Sequence, residues 1–357
     1  MSKAPKPNRQ PANTARPQTN FGFEILSQIV SLAFVLVIVF AFKSSILDAN
    51  NIPSGSMLPT LKIGDFLFVN KLRYSLRIPF WEKELFRYDN PKRGDIVTFA
   101  PPESALHGEP QSLLNPKRYV KRVVGMPGDL FRLSPRILST ELGDVVYEII
   151  EYKPAGKETF TTLEPKPFSD RSVLNDLDNP MGMSRALFLE DVIGPEKKSH
   201  YVLSGTLFGM RMAYSHFSQM PLPNGNFCDL RKGCELPEDY YLMMGDNRDD
   251  SEDSRSWGLV NREQIFGKAL IIYLSLNWKD YTCPFRDTSV VANSGPDSAE
   301  RFTGEELIRR CALGEREGFG SYHNWQNETI KEWISRTVFY RIPRAEIRFR
   351  RIGNLLE

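Results

Sequence analysis

From Ile25 to Phe42 the chain carries no charged residue, and most side chains there are Ile, Leu, Val, Phe or Ala. Such a run sits near the lower length limit of a bilayer-spanning helix. It constrains everything downstream, because whatever follows folds while tied to a membrane at one end. Phe21 to Phe23 can extend the run into the interface, and Ser27, Gln28 and Ser31 weaken its first turns. A removable leader would need a small-x-small site after it. Leu47-Asp48-Ala49 puts a bulky residue where a small one is required, so the run is read as a retained anchor. Lys3, Lys6, Arg9 and Arg16 precede it, with no acid before Glu24. The positive-inside rule then keeps the N-terminus in the cytoplasm and everything after about residue 45 outside. No later stretch is long and charge-free enough to span, so a single pass is expected. Residues 1 to 20, rich in Pro, Asn, Gln and Lys, read as a disordered tail.

The charge balance excludes one broad class. Lys plus Arg is 46 against 44 Asp plus Glu, without the clustered basic face of a nucleic-acid binder. The 25 prolines and 24 glycines point to many turns, as in a mostly β protein with long loops. The cysteines are Cys228, Cys234, Cys283 and Cys311, and they lack the paired spacing of a zinc site. Cys228 and Cys234 are close enough to form a local clip in an oxidising compartment, and two free thiols remain the alternative.

Turn-then-strand grammar recurs along the exposed part. Gly64-Asp65 leads Phe66 to Val69, and Gly94-Asp95 leads Ile96 to Phe99. Arg118 to Val124 reads as a strand closed by a turn from Gly125 to Asp129. Tyr240 to Met244 and Ala269 to Leu276 complete one β core. The expected organisation is a tail at 1-20, a transmembrane helix at 21-43, a first part of the core at 44-131 and its second part at 240-277. Residues 132-239, with weaker strands and many prolines, read as an inserted second β region. Residues 278-344 read as a partly helical insertion. Thr303 to Glu306 resembles a capping box, and Ile330, Trp333, Ile334 and Val338 fall at helical spacing. Residues 345-357 are expected to close the core.

The candidate chemistry begins with an exclusion. His107, His200, His216 and His323 all sit in loop-like polar stretches away from the motif blocks, so no Ser-His-Asp triad is expected. A desolvated lysine can replace the histidine, because burial disfavours the ammonium. Strand alternation puts Tyr119, Lys121 and Val123 on one face, so Lys121 is flanked by an aromatic and a β-branched residue. Arg122 cannot serve as base, since a guanidinium does not deprotonate in proteins. Ser54-Gly55-Ser56 forms a tight polar turn, with Met57, Pro59 and Thr60 following. The acidic run from Asp246 to Asp253 is not a calcium loop. Ser251 stands where such a loop needs glycine, and Trp257 stands where it needs glutamate. No metal or cofactor is expected.

Together, Ile52 to Thr60, Gly64-Asp65, Tyr119 to Gly125 and Met244 to Arg255 resemble bacterial type I signal peptidases, the membrane proteases that remove signal peptides from exported proteins. The resemblance covers residues 25 to 131, 240 to 277 and Arg348 to Gly353. It implies a signal-peptidase-like β core with Ser56 as nucleophile and Lys121 as general base. Ser54 would be the side-chain donor of the oxyanion hole, and Ser251 would orient the lysine. Arg122, Asp246, Asn247, Arg248, Asp253 and Arg255 would brace the loop. Ile52, Pro53, Met57, Leu61, Leu67, Tyr119 and Val120 would wall pockets for small substrate side chains. The implied partners are signal peptides of exported preproteins, membrane lipid and transient contacts with the secretion machinery, and the implied site is the bacterial inner membrane. Some relatives have two N-terminal spans where this chain has one. Two rivals are a self-cleaving Ser/Lys regulatory protease, which would need a DNA-binding element in place of the anchor, and a catalytically silent membrane scaffold.

Overall fold

The computed structural model describes residues 21–79, 83–108, 116–141, 143–174, 186–191, 199–204, 206–207, 219–277, 330–331, 334 and 337–356. The apolar run forms a helix from Phe21 to Ser45, 25 residues long. At roughly 1.5 Å per residue that is about 37 Å, enough to cross a hydrocarbon core of about 30 Å. Its Glu24–Ala41 window is long and apolar enough to cross a membrane and is 0% buried against the rest of the described protein, so it packs on no other described element.

The helix runs directly into the first strand, Leu47–Asn51, which opens an eight-stranded antiparallel sheet. The order continues through Asp65–Asn70, Ile265–Asn277, Ile96–Phe99, Tyr119–Gly125, Tyr240–Met244 and Val260–Asn261. Glu346–Ile347 pairs with the far end of Ile265–Asn277. All five expected core strands therefore lie in one sheet. The strand expected from Ala269 starts earlier, at Ile265. Gly64 has φ +83°, and a Cβ there would fall 1.9 Å from the Leu276 carbonyl oxygen. Only glycine allows this turn to pass under the last long strand.

Both faces of this sheet are covered. Ile52, Met57, Leu61, Leu67, Val69, Ile96 and Ile272 pack on one side. Val97, Phe99, Val123, Tyr241, Met243 and Trp257 pack on the other. Ile96–Phe99 shows no apolar/polar alternation because all four of its residues, Thr98 included, are buried between these two layers.

The stretch read as weakly stranded holds the longest hairpin among the described residues. Leu130–Thr140 pairs with Gly143–Lys153, 11 residues on each side. Pro135 lies within the first of these strands although it has no N–H to give a ladder. Among the described residues the Leu130–Thr140 strand is flanked on its other side only at Leu130 and Phe131, by Cys234–Glu235, which leaves Pro135 on an edge, where proline is tolerated. The hairpin buries Phe131, Leu133, Ile150 and Tyr152 against Val124, Leu242 and Met244 of the large sheet. Its other end packs Tyr147 and Ile149 on Phe188 and Val202. These belong to a separate three-stranded sheet of Pro165–Pro167, Ala186–Asp191 and Ser199–Ser204. Cys228 and Cys234 are joined in a disulfide, which decides between the two alternatives left open above.

The tail at 1 to 20, the capping-box residues 303 to 306 and Trp333 lie outside the described residues. Of the expected C-terminal helix, Ile330, Lys331 and Ile334 are helical, and Thr337–Arg341 forms a π-helical turn. The chain end does not close as a strand of full length. A two-residue strand is followed by a turn at Phe349–Arg351 and a bridge from Leu355 to Ile271. Arg348 and Arg351 hold this end. Arg348 donates to Ser275 at 2.8 Å, and Arg351 reaches both Asp65 oxygens.

Candidate active site

The serine turn hangs from the first strand pair of the large sheet. Ile52 N–H donates to the Asp65 carbonyl at 2.8 Å, and Gly64 N–H donates to the Ile52 carbonyl at 2.9 Å. This continues the pairing of Leu47–Asn51 with Asp65–Asn70 up to the point where the chain must turn. Leu58 N–H to Gly55 O and Leu61 N–H to Met57 O then fold it tightly, at 3.1 and 2.9 Å. Ser54 is exposed and Ser56 half-buried, and their hydroxyl oxygens lie 3.5 Å apart.

A cleft of about 450 Å³ opens at this turn. Ile52, Pro53, Ser54, Gly55, Ser56 and Met57 line one wall, and Tyr119, Val120 and Lys121 line the other. Asn51, Arg118, Asp250 and Glu252 complete its rim. Leu61 and Leu67, expected among the pocket walls, do not line it. Both are fully buried in the core behind it. The period of the Asp65–Asn70 strand decides this for Leu67, which turns inward with Val69, whereas Phe68 on the opposite face stacks on Tyr273.

Lys121 is 4% exposed and donates to the Ser251 hydroxyl at 2.9 Å. Among the described residues no carboxylate lies within ion-pair distance of it. Burial pushes the Lys121 amine down to about 8, with Asp253 pulling it partly back up and Arg255 opposing that. A substantial neutral fraction is therefore available near pH 8, unlike an ordinary lysine.

The acidic run beside it is tied to arginines. Arg122 forms a two-pronged pair with Asp246 at 2.8 and 2.7 Å and also donates to the Gly94 carbonyl. Asp253 accepts from Gly245 N–H at 3.1 Å and from Arg255 Nε and Nη2, both at 2.8 Å, and it caps the short Ser254–Trp257 helix. Burial pushes both carboxyls up, but Arg122 and Arg255 outweigh it and hold them below the usual range. Asn247 stitches the loop to the serine turn, N–H to Ser56 O at 3.1 Å and Nδ2 to Gly55 O at 3.0 Å. Gly245 fits only without a side chain, since a Cβ would lie 2.2 Å from Ser251 Oγ and 2.3 Å from Ser56 O. Arg248 points away from the cleft toward Glu190 and Tyr147.

The histidines correct the sequence reading. His200 is the second residue of the strand Ser199–Ser204 and is half-buried, with Nε2 3.8 Å from Asp246 Oδ1 and 3.4 Å from Glu190 Oε2. Burial pushes it down to about 4, so it is neutral at physiological pH. His107 pairs with Glu252 at 2.8 Å on the cleft rim. Neither is remote from the motif blocks, because tertiary pairing brings distant chain segments there. His216 and His323 lie outside the described residues. Sequence reasoning also missed the rim acids Asp250 and Glu252. The run Asp249-Asp250-Ser251-Glu252-Asp253 carries no alternation that marks these two, because the turn at Arg248–Asp250 decides which carboxylates reach the cleft.

Comparison with known proteins identifies the family. A family model described as "Signal peptidase, peptidase S26" matches residues 25–274. A protein named signal peptidase I from Buchnera aphidicola is 30% identical over 73% of this chain and 78% of its own length. One of that name from Pseudomonas fluorescens is 32% identical over 68% of this chain and 69% of its own. One from Aquifex aeolicus is 33% identical over 70% of this chain and 84% of its own. A solved structure described as a signal peptidase I from Enterococcus faecalis is 20% identical, covering 50% of this chain and 97% of its own, with a TM-score of 0.22. That superposition is too weak to carry an argument.

Proposed function

The chain belongs to the signal peptidase family, peptidase S26, and is a hydrolase of the signal peptidase I kind, and on that premise we propose that it cleaves preproteins with a Ser56/Lys121 dyad. The observation that carries this is the Lys121 amine. It is buried, lacks a carboxylate partner among the described residues, is oriented by Ser251 and faces the cleft that Ser56 lines.

In this mechanism Ser56 Oγ attacks the scissile carbonyl carbon while neutral Lys121 takes its proton. The tetrahedral oxyanion is held by the Ser54 hydroxyl and the Ser56 backbone N–H, donors of a kind whose loss costs roughly 3–4 kcal/mol each. Lys121 returns the proton to the departing amine, leaving an ester on Ser56. Water then attacks that ester with Lys121 again as base, and the free serine is restored. Ile52, Pro53, Met57, Tyr119 and Val120 wall a cleft that suits small side chains at the first and third positions before the cut.

The catalytic core comprises 44–131, 240–277 and 345–357, with 132–239 inserted. Shared sheet membership of the first three stretches supports this division. The anchor lies in the bacterial inner membrane with the basic tail in the cytoplasm and the core on the outer side. The Cys228–Cys234 disulfide fits an oxidising compartment, and lipid and secretion machinery are the expected surroundings.

The test is cleavage of a preprotein by the purified full chain with Ser56→Ala as control. Release of the mature N-terminus by the parent alone is expected, and equal cleavage by both would remove Ser56 from the mechanism. Protease added to intact spheroplasts should digest the large part and spare the tail. Protection of the large part would reverse the orientation.

A further inference from the structure

We propose that Glu190, on the inserted three-stranded sheet, is a positioning residue for cleavage: it grips Arg248 and so holds the Asn247–Ser251 turn against the serine turn. The inference rests on the Ser56/Lys121 reading and extends it to a part of the chain that no cleft residue comes from.

Arg248, Glu190 and Tyr147 are all buried. Glu190 Oε2 pairs with Arg248 Nη2, while Arg248 Nη1 donates to Glu190 Oε1 and to the Tyr147 hydroxyl, each at 3.3 Å. Tyr147 in turn donates to Glu190 Oε1 at 3.1 Å. The guanidinium is thus fixed by two strands, Gly143–Lys153 and Ala186–Asp191, that lie outside the large sheet.

What Arg248 fixes is the turn that carries the site. Its neighbour Asn247 donates to Ser56 O and Gly55 O. Its own carbonyl accepts from Arg255 Nη2 at 2.5 Å. Ser251, the partner of Lys121, follows three positions later. The same sheet reaches the site by a second route. Leu203 N–H donates to the Asp246 carbonyl at 2.9 Å, and Leu187 and Leu203 pack on Leu58 of the serine turn. His200 fills the gap between Glu190 and Asp246 as a neutral ring. A buried ion pair often adds little stability over apolar residues of equal volume. The geometry it imposes on the turn is therefore its contribution.

The full-length protein is assayed with a preprotein, and backbone amide exchange is followed in parallel. Glu190→Gln should lower kcat roughly tenfold or more while KM stays within about twofold, because misplacement of about 1 Å can cost up to 10²-fold. Amides of Asn247 to Ser251 should exchange faster. The double variant Glu190→Met with Arg248→Met leaves no orphaned charge, so it should fold and show the same kcat loss. Lys166→Gln, which removes an exposed pair with Asp191 on the same sheet, should behave as the parent. Parental kcat and exchange in a folded Glu190→Gln or double variant would overturn the proposal. So would failure of both to fold, which would make the pair a structural prop. If the parent itself cleaves nothing, the dyad reading fails, and the exchange arm still decides whether Glu190 holds the turn.

Discussion

Two lysines in this protein are equally buried and sit in opposite chemical situations. Lys71, in the turn Lys71–Arg73, is 3% exposed, and Lys121, within the Tyr119–Gly125 strand, is 4% exposed. Lys71 Nζ lies 3.6 Å from the Asp48 carboxylate. Lys121 Nζ has a neutral hydroxyl, Ser251, as its hydrogen-bond partner, and burial lowers its pKa to about 8. Burial alone therefore does not make a base. A lysine beside a carboxylate is stabilised as the ammonium, whereas one beside a hydroxyl keeps the desolvation penalty and can release its proton.

The largest expected effect breaks or upholds that contrast directly. Ser56→Ala, Lys121→Ala and Lys121→Arg should each lower the cleavage rate by roughly 10⁴-fold or more, as removal of a member of a catalytic unit does. Lys71→Met should stay within a few-fold of the parent in the same preprotein assay. Near-normal turnover by Lys121→Arg would remove lysine from the base role, because a guanidinium does not deprotonate in proteins.

Next in size is the oxyanion donor. Ser54→Ala should reduce kcat by about 10²–10³-fold, since one donor remains, with Ser54→Thr milder where the methyl fits. A rise in KM with kcat intact would refute the assignment. Gly245→Ala should cost about 10²-fold by pushing Ser251 off the lysine. Its Cβ has no room beside Ser251 and Ser56. Parental activity there would mean that the Ser251 contact does not matter.

The pH profile sharpens the comparison further. Lys121 must be neutral to accept a proton, so kcat/KM should rise about tenfold per pH unit below about 8 and level off above it. Ser251→Ala should lower the plateau with less effect on the limb. A limb near the free-lysine value would mean a solvated amine.

The smallest effect is on stability and has opposite signs at the two lysines. Between about 8 and 10.5 the unfolded chain binds a proton at Lys121 that the folded protein does not, so stability rises with pH across that window. The full penalty, up to roughly 3 kcal/mol, acts below about pH 8. Lys121→Met should therefore stabilise the protein at neutral pH. Lys71→Met should destabilise it by about 1–3 kcal/mol by removing the cation paired with Asp48. Thermal unfolding in detergent at pH 7 reads both, and equal signs would dissolve the contrast.

Much of this was legible in the chain. The charge-free, mostly apolar run from Ile25 to Phe42 specified the long helix, because a charge is costly in lipid and backbone pairing there must be internal. The turn-then-strand signals at Gly64-Asp65 and Gly94-Asp95 located core strands because glycine and aspartate have local conformational preferences. Period two put Lys121 on the face with Tyr119 and Val123. Each of these is decided within a few residues.

What only the tertiary structure decided is where distant segments meet. Alternation cannot say that Leu67 lies behind the cleft while Ile52 lines it, nor that His200 comes to lie beside Asp246. Glu190 and Tyr147 carry no local mark of their link to Arg248. The free-energy cost of burying a charge depends on which partner arrives from elsewhere in the chain. A lysine becomes a base or half of an ion pair only after the sheets have closed around it.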